Sequence, residues 1–270
     1  MIKHKSNSTT AKSGKVILAG AGPGDPELIT IRLSKALQRA DVIITDRLVN
    51  PAILKTFAND HAQIILTGKQ GYSDASVTMK EINILVRKYA FEGKTVLRLK
   101  GGDVAFFSNV LDELQNLIKH KIPFEIIPGI TAASGASAYA GIPLTARGYA
   151  QGVQFLTYYI EDQFMPEKWK QLATSTDTLV FYMSASHAID IADKLMSYGA
   201  KVDTSLAVIE QATTSHQQVH TTTLSQCKID FNNKSFSSPS LMIVGKVVQL
   251  HISFNWLGSL EEGTVFKQLI

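Results

Sequence analysis

The sequence has a single cysteine, Cys227, which excludes an internal disulfide framework and leaves almost no basis for a metal site, so none is expected. Long hydrophobic runs are missing as well. Runs such as Val42-Ile43-Ile44 and Leu179-Val180-Phe181 are strand-sized and fall far short of the roughly 20 apolar residues of a membrane span. The polar, basic start carries no apolar h-region, so a cytoplasmic location is expected rather than secretion. A strong charge of one sign is absent too: 27 Lys and Arg against 23 Asp and Glu leave +4, spread along the chain. No basic stripe interleaved with aromatics and no nucleic-acid motif occurs, so neither nucleic acid nor a membrane is an expected partner. What remains is a chain of 270 residues, 45% apolar, able to fill one large or two ordinary cores.

Residues 1–14 read as a disordered arm, rich in Lys, Ser, Thr and Asn. From Lys15 short β-branched runs alternate with helical periodicity. Val16-Ile17-Leu18-Ala19, Val42-Ile43-Ile44-Thr45, Ile64-Ile65-Leu66 and Val96-Leu97-Arg98-Leu99 are strands. Helices are expected over 28–39, with Asp25 and Thr30 as cap candidates, and over 77–91. That alternation predicts a parallel sheet covered on both faces. A stretch rich in Gly, Ala, Ser and Pro follows from Pro128 to Pro143 and places a boundary near residues 146–152. Beyond it Val153 to Thr157, Thr178 to Tyr182, Leu206 to Ile209 and Leu241 to Val244 read as strands of a second sheet, with a helix over 186–198. The fold class is α/β: a first domain over 15–148, a second over 149–258, and a tail over 259–270.

Gly20-Ala21-Gly22-Pro23-Gly24-Asp25-Pro26 directly follows the first strand, where a dinucleotide-binding turn would sit. Two features oppose that reading. The third glycine position holds the charged Asp25, and Pro23 and Pro26 remove two amide donors a pyrophosphate would use. Asp46, ending the second strand, is the feature in its favour. A purely structural turn is the other alternative.

The loop is one of an ordered set. With Asp41-Val42-Ile43-Ile44-Thr45-Asp46-Arg47-Leu48-Val49, Gly68-Lys69, Val96-Leu97-Arg98-Leu99-Lys100-Gly101-Gly102-Asp103 and Pro128-Gly129-Ile130-Thr131-Ala132-Ala133-Ser134-Gly135, it resembles the tetrapyrrole methyltransferase family. Thr178 to Met183 and Ser238-Pro239-Ser240-Leu241 extend the resemblance, which covers nearly everything from Lys15 to about Trp256. Ala138 to Thr145 and Tyr149-Ala150-Gln151 resemble those members that act on uroporphyrinogen III.

The resemblance implies two α/β domains of the tetrapyrrole methyltransferase type, with the active-site cleft between them. It implies S-adenosyl-L-methionine (SAM) as methyl donor and S-adenosyl-L-homocysteine (SAH) as product. Pro23, Gly101, Gly102, Asp103, Phe106, Thr131, Ala132, Met183 and Ala212 would surround that cofactor. Asp46 matches the family's proton acceptor and Lys69 its proton donor, so these two are the catalytic candidates. The implied reaction methylates rings A and B of uroporphyrinogen III to give precorrin-2, for sirohaem or cobalamin. A later precorrin, another tetrapyrrole, or binding with reduced activity are the alternatives. Because the acceptor carries many carboxylates, Arg47, Arg98, Lys100 and Arg147, with Tyr149, are its expected contacts. A homodimer is implied. With no room in the chain for a dehydrogenase–chelatase module, precorrin-2 would pass to separate enzymes. The chain departs from the family pattern at Asn109 (usually Arg), Val110-Leu111 (Gly-Gly), Ala146 and Gly148 (His and Asp), Tyr158-Tyr159 (Gly-His) and Ala212 (Gly).

Overall fold

The computed structural model describes residues 14–67, 78–158, 164–257 and 263–266. Two five-stranded sheets organise them. Strands β1 (Lys15–Gly20), β2 (Val42–Thr45), β3 (Gln63–Leu66), β4 (Thr95–Lys100) and β5 (Phe124–Ile127) form the first, in the order β3-β2-β4-β1-β5. All its pairings are parallel; the inner strands β1, β2 and β4 are buried, whereas the edge strands β3 and β5 expose Ile64, Leu66, Phe124 and Ile126. Side chains alternate across the sheet. Ile17, Ala19, Ile43, Leu97 and Leu99 face α1 (Ile31–Arg39) and α2 (Pro51–Phe57). Val16, Leu18, Val42, Ile44 and Val96 face α3 (Met79–Phe91) and α4 (Val110–Lys119).

The helix expected over 28–39 is divided. Asp25 caps a short 3₁₀ turn at Pro26–Leu28, and Thr30 then caps α1 by accepting from the Leu33 amide. Both cap candidates act as caps; the break arises because Ile29 and Thr30 are extended. Helix α3 starts later than expected, behind a capping box of Thr78 and Glu81.

The second sheet runs β6-β7-β10-β8-β9, from β6 (Val153–Thr157), β7 (Thr178–Tyr182), β8 (Ser205–Glu210), β9 (Gln218–Thr223) and β10 (Ser240–Val244). Only β6 and β7 pair in parallel. One face carries Leu179, Phe181, Val208 and Met242 against α6 (Pro166–Ala173), α7 (Ala188–Ser197) and α8 (Cys227–Asp230). The other carries Val180, Tyr182, Ile209 and Ile243 against Ala133, Ala136 and Ala140, in or just after α5 (Ala132–Tyr139). Helix α5 therefore belongs to the second sheet's core, although it precedes the boundary expected at 146–152. Its small side chains permit that close packing. A short α9 (His251–Phe254) closes the described chain near α5, with the Trp256 indole donating to Ala138 O.

Candidate active site

In an open parallel sheet, ligands bind outside the carboxyl ends of the strands, where the loops diverge. Here β1 and β4 are neighbours, and the loops leaving them are joined by a two-way bridge: Gly22 N donates to Gly102 O and Gly102 N to Gly22 O, at 3.0 and 2.8 Å. Asp103 fixes the turn from below. Its Oδ1 accepts from Ala105 N and its Oδ2 from Gly129 N, at 2.7 and 2.6 Å. Gly20 and Gly129 flank the same point so tightly that a Cβ on Gly129 would stand 2.3 Å from Gly102 O. Gly102 differs. It has φ +66°, and a Cβ there would meet only Ala132 N, at 3.7 Å. Its lack of a side chain satisfies the backbone and leaves the space beside it bare.

That space is an open cleft of about 770 Å³. All nine residues expected round a cofactor line it: Pro23, Gly101, Gly102, Asp103, Phe106, Thr131, Ala132, Met183 and Ala212. The first four come from the loops after β1 and β4. Met183 follows β7 and Ala212 follows β8, so both sheets contribute walls. Sequence reasoning missed Leu48, Phe107, Tyr182 and Pro239 as lining residues. Tyr182 was legible only as the last apolar position of a strand. Its ring lies 4.8 Å from Phe107 and 5.9 Å from Phe155, which contacts Phe106 at 5.5 Å. These rings make an aromatic wall.

The Tyr182 hydroxyl sits 2.6 Å from Thr131 Oγ1 and accepts from Ala133 N at 3.2 Å. It thereby ties the start of α5 to the second sheet. Burial pushes this hydroxyl above the ordinary phenol value, more than those hydrogen bonds pull it down, so it remains protonated. Met183 has φ +56°, and Gln211 and Thr213, on either side of Ala212, have +46° and +67°. Left-handed backbone in such side chains is strained and concentrates at sites of function. Ala212 itself keeps a negative φ, so alanine serves where glycine is usual.

Asp46 ends β2 and does not line the cleft, although Leu48, two residues on, does. Its Oδ1 accepts from Arg98 Nη2 at 2.6 Å and from Thr67 Oγ1 at 3.3 Å. Among the described residues, Oδ2 accepts no hydrogen bond. Arg98, only 1% exposed, also donates from Nε to Glu113 Oε1 at 2.7 Å, while Lys100 Nζ donates to Glu113 Oε2 at 2.6 Å. Burial opposes the Arg98 charge most strongly, yet Asp46 and Glu113 together outweigh it and raise its pKa.

Arg98 and Lys100 correct the expectation of free cations for a polyanion. Residues 98 and 100 share the sheet face covered by α4, so both charges point inward, where they share Glu113 and Arg98 also pairs with Asp46. Arg47 is half-buried, and its Nη2 donates to Ser238 Oγ at 3.2 Å, from the first sheet's loop to the second's. Burial lowers its pKa, partly offset by the charge of Asp46. Arg147 is exposed in a turn closed by Ala146 and Ala150, and Tyr149 in that turn carries Lys246 Nζ 4.9 Å from its ring centre. Neither residue lines the cleft. Lys69 lies outside the described residues.

Two further departures from the family pattern, Asn109 and Tyr158, find local reasons, while Tyr159 lies outside the described residues. Asn109 has φ +53° at the start of α4, a conformation asparagine tolerates better than arginine. Tyr158 is buried in the second core against Trp169, with its hydroxyl on Asp190. The cleft suits SAM in character. Its walls are mostly apolar, and its glycine floor admits close approach.

The family model for tetrapyrrole (corrin/porphyrin) methylases matches residues 15–228. Over 243 residues the chain is 44% identical to a siroheme synthase of Stutzerimonas stutzeri (strain A1501), covering 90% of this chain and 52% of that one. The chain thus spans about half the length of the curated relatives it matches. The crystal structure of a uroporphyrin-III C-methyltransferase from Thermus thermophilus aligns with TM-score 0.74 and 30% identity, over 92% of this chain and 98% of that one. A second structure of such a Thermus thermophilus enzyme, complexed with S-adenosyl homocysteine, aligns with TM-score 0.72 and 31% identity, over 88% and 94%.

Proposed function

This chain belongs to the tetrapyrrole methylase family, and from that premise we propose that it is a SAM-dependent C-methyltransferase acting on uroporphyrinogen III. The observation that carries the reading is the cleft itself, where nine dispersed residues meet round a bare glycine floor at strand ends. When bound, SAM supplies an electrophilic methyl group on a sulfonium sulfur.

The chain's part is to align, enclose and deprotonate. Gly101 and Gly102 let the backbone contact the cofactor, while Leu48, Met183, Ala212 and Pro239 enclose it with apolar surface. The aromatic wall of Phe106, Phe107 and Tyr182 keeps water from the reacting atoms. Fixed alignment of this kind can lower a barrier by about 7–11 kcal/mol in favourable systems. The pyrrole carbon bonds to the methyl group as the sulfur–carbon bond breaks, and its electron pair returns to sulfur. The methylated ring then loses a proton. Asp46 Oδ2 is the proposed acceptor, since Arg98 and Thr67 engage only Oδ1. Lys69 is the proposed donor. Arg47, beside the cleft mouth at Ser238, and Arg147 are the proposed partners of substrate carboxylates.

The finer reading is methylation of rings A and B to precorrin-2, by a homodimer in the cytoplasm. Incubation with uroporphyrinogen III and SAM, followed by mass spectrometry, tests it. A product heavier by two CH2 units, each a methyl group gained and a proton lost, is expected. SAH binding without any methylated product would instead identify a binding protein, and turnover of a later precorrin alone would move the substrate.

A further inference from the structure

Glu113 is one of 23 acidic residues, and nothing in its sequence surroundings marks it out. In the fold it is 2% exposed, on the face of α4 that covers the side of the first sheet where Arg98 and Lys100 stand among apolar residues. A leucine in its place would leave two buried cations without their shared carboxylate. Its two oxygens are each used: Oε1 takes Arg98 Nε at 2.7 Å, and Oε2 takes Lys100 Nζ at 2.6 Å. Arg98 spends its remaining donors at the end of β2. Nη2 holds Asp46, and Nη1 reaches the carbonyls of Ile44 and Leu99 at 3.4 and 3.3 Å. The guanidinium is thus a rigid plate clamped at one edge by Glu113, with Asp46 on another.

We infer that Glu113 is a positioning residue for the methyl transfer: by clamping Arg98 it sets the direction in which Asp46 presents its open oxygen. The inference rests on the proposed role of Asp46. Without the clamp, the Arg98 side chain could turn about its stem, and Asp46, whose side chain is 30% exposed, would lose its fixed bearing. In Glu113→Gln the amide oxygen can still accept from Arg98, but the amide nitrogen then confronts Lys100 with a second donor. The clamp loosens while the shape persists.

A double-mutant cycle in the full chain tests this, with kcat, KM for uroporphyrinogen III and calorimetric SAH affinity as readouts. Asp46→Asn is expected to lower kcat by about 100-fold, as loss of a proton acceptor does. Glu113→Gln is expected to lower kcat by about 10-fold to 100-fold, as misalignment does, with KM and SAH affinity essentially unchanged. The double variant should be no slower than Asp46→Asn alone, because a residue acting through Asp46 has nothing left to act on. Additive losses, an unchanged kcat in Glu113→Gln, or a loss confined to KM and SAH affinity would overturn the inference. If Asp46→Asn turns over normally, the proton-acceptor reading fails first and the inference falls with it. Should Glu113→Gln not fold, Glu113→Asp, which keeps the charge, carries the same cycle; the expected non-additivity is unchanged.

Discussion

The two sheets meet at one cleft but contribute to it in different ways. The first supplies backbone and charge: a glycine floor at Gly101 and Gly102, and the buried chain Asp46–Arg98–Glu113–Lys100 behind it. The second supplies apolar surface on strained backbone, at Met183 and next to Ala212, and the Tyr182 hydroxyl that ties α5 down. The contrast follows from topology. A parallel sheet gathers all its carboxyl ends on one side, so loops and charges concentrate there. A mixed sheet divides its ends between two sides and offers fewer positions to build on. The first sheet is therefore where chemistry is expected, and the second where enclosure is.

Replacing Arg98 by Ala attacks the first side hardest. It strands Asp46 and leaves Lys100 as the cation beside Glu113, and the expected loss is about 3–5 kcal/mol by urea unfolding. A loss below about 1 kcal/mol would mean that the charges rearrange freely. Tyr182→Phe is the matching test on the second side. It removes the partner of Thr131 and leaves the Ala133 amide without its acceptor, at an expected cost of about 1–3 kcal/mol. Were it as costly as the arginine change, the proposed division of roles would blur.

Gly102→Ala separates fold from ligand. A Cβ there meets no atom closer than 3.7 Å, so only the left-handed φ is penalised, by about 1–2 kcal/mol, while the methyl group enters the cleft. SAH affinity should fall more than this modest loss of stability explains. Equal SAH affinity in the variant and the native chain would remove Gly102 from the floor.

The smallest effect lies away from the cleft. Burial would raise the Glu210 carboxyl, but bonds from His220 and the Ser237 amide outweigh it and hold the pKa below the usual range. A depressed carboxylate stabilises the fold above its unfolded value of about 4.3, and this is lost as pH falls through the folded value. The gap in melting temperature between the native chain and Glu210→Gln should therefore narrow from about pH 6 to about pH 3. A constant gap would contradict the linkage.

The same contrast governed what the sequence could reveal. Apolar runs such as Val42-Ile43-Ile44 state their strands outright because both faces are buried. Strand β9, Gln218–Thr223, was not legible: it is an edge strand of mostly polar residues with no apolar alternation. Asp25 was set against a dinucleotide loop, and the local fold gives it other work. It caps a 3₁₀ turn and accepts from the Tyr139 hydroxyl at 2.8 Å. The residues that resemblance grouped round a cofactor were found at one cleft, but the fate of the cations was not readable. Whether Arg98 and Lys100 face solvent or Glu113 depends on which helix covers β4, and local pattern carries no trace of that pairing.

Calorimetric titration of the full chain with SAH tests the central claim most directly. Saturable binding of one SAH per chain is predicted, with a negative heat-capacity change from the apolar walls and a marked loss of affinity in Gly102→Ala. An absence of binding heat over a range of temperatures, with the chain folded, would contradict the cleft as a methyl-donor site and every step proposed from it.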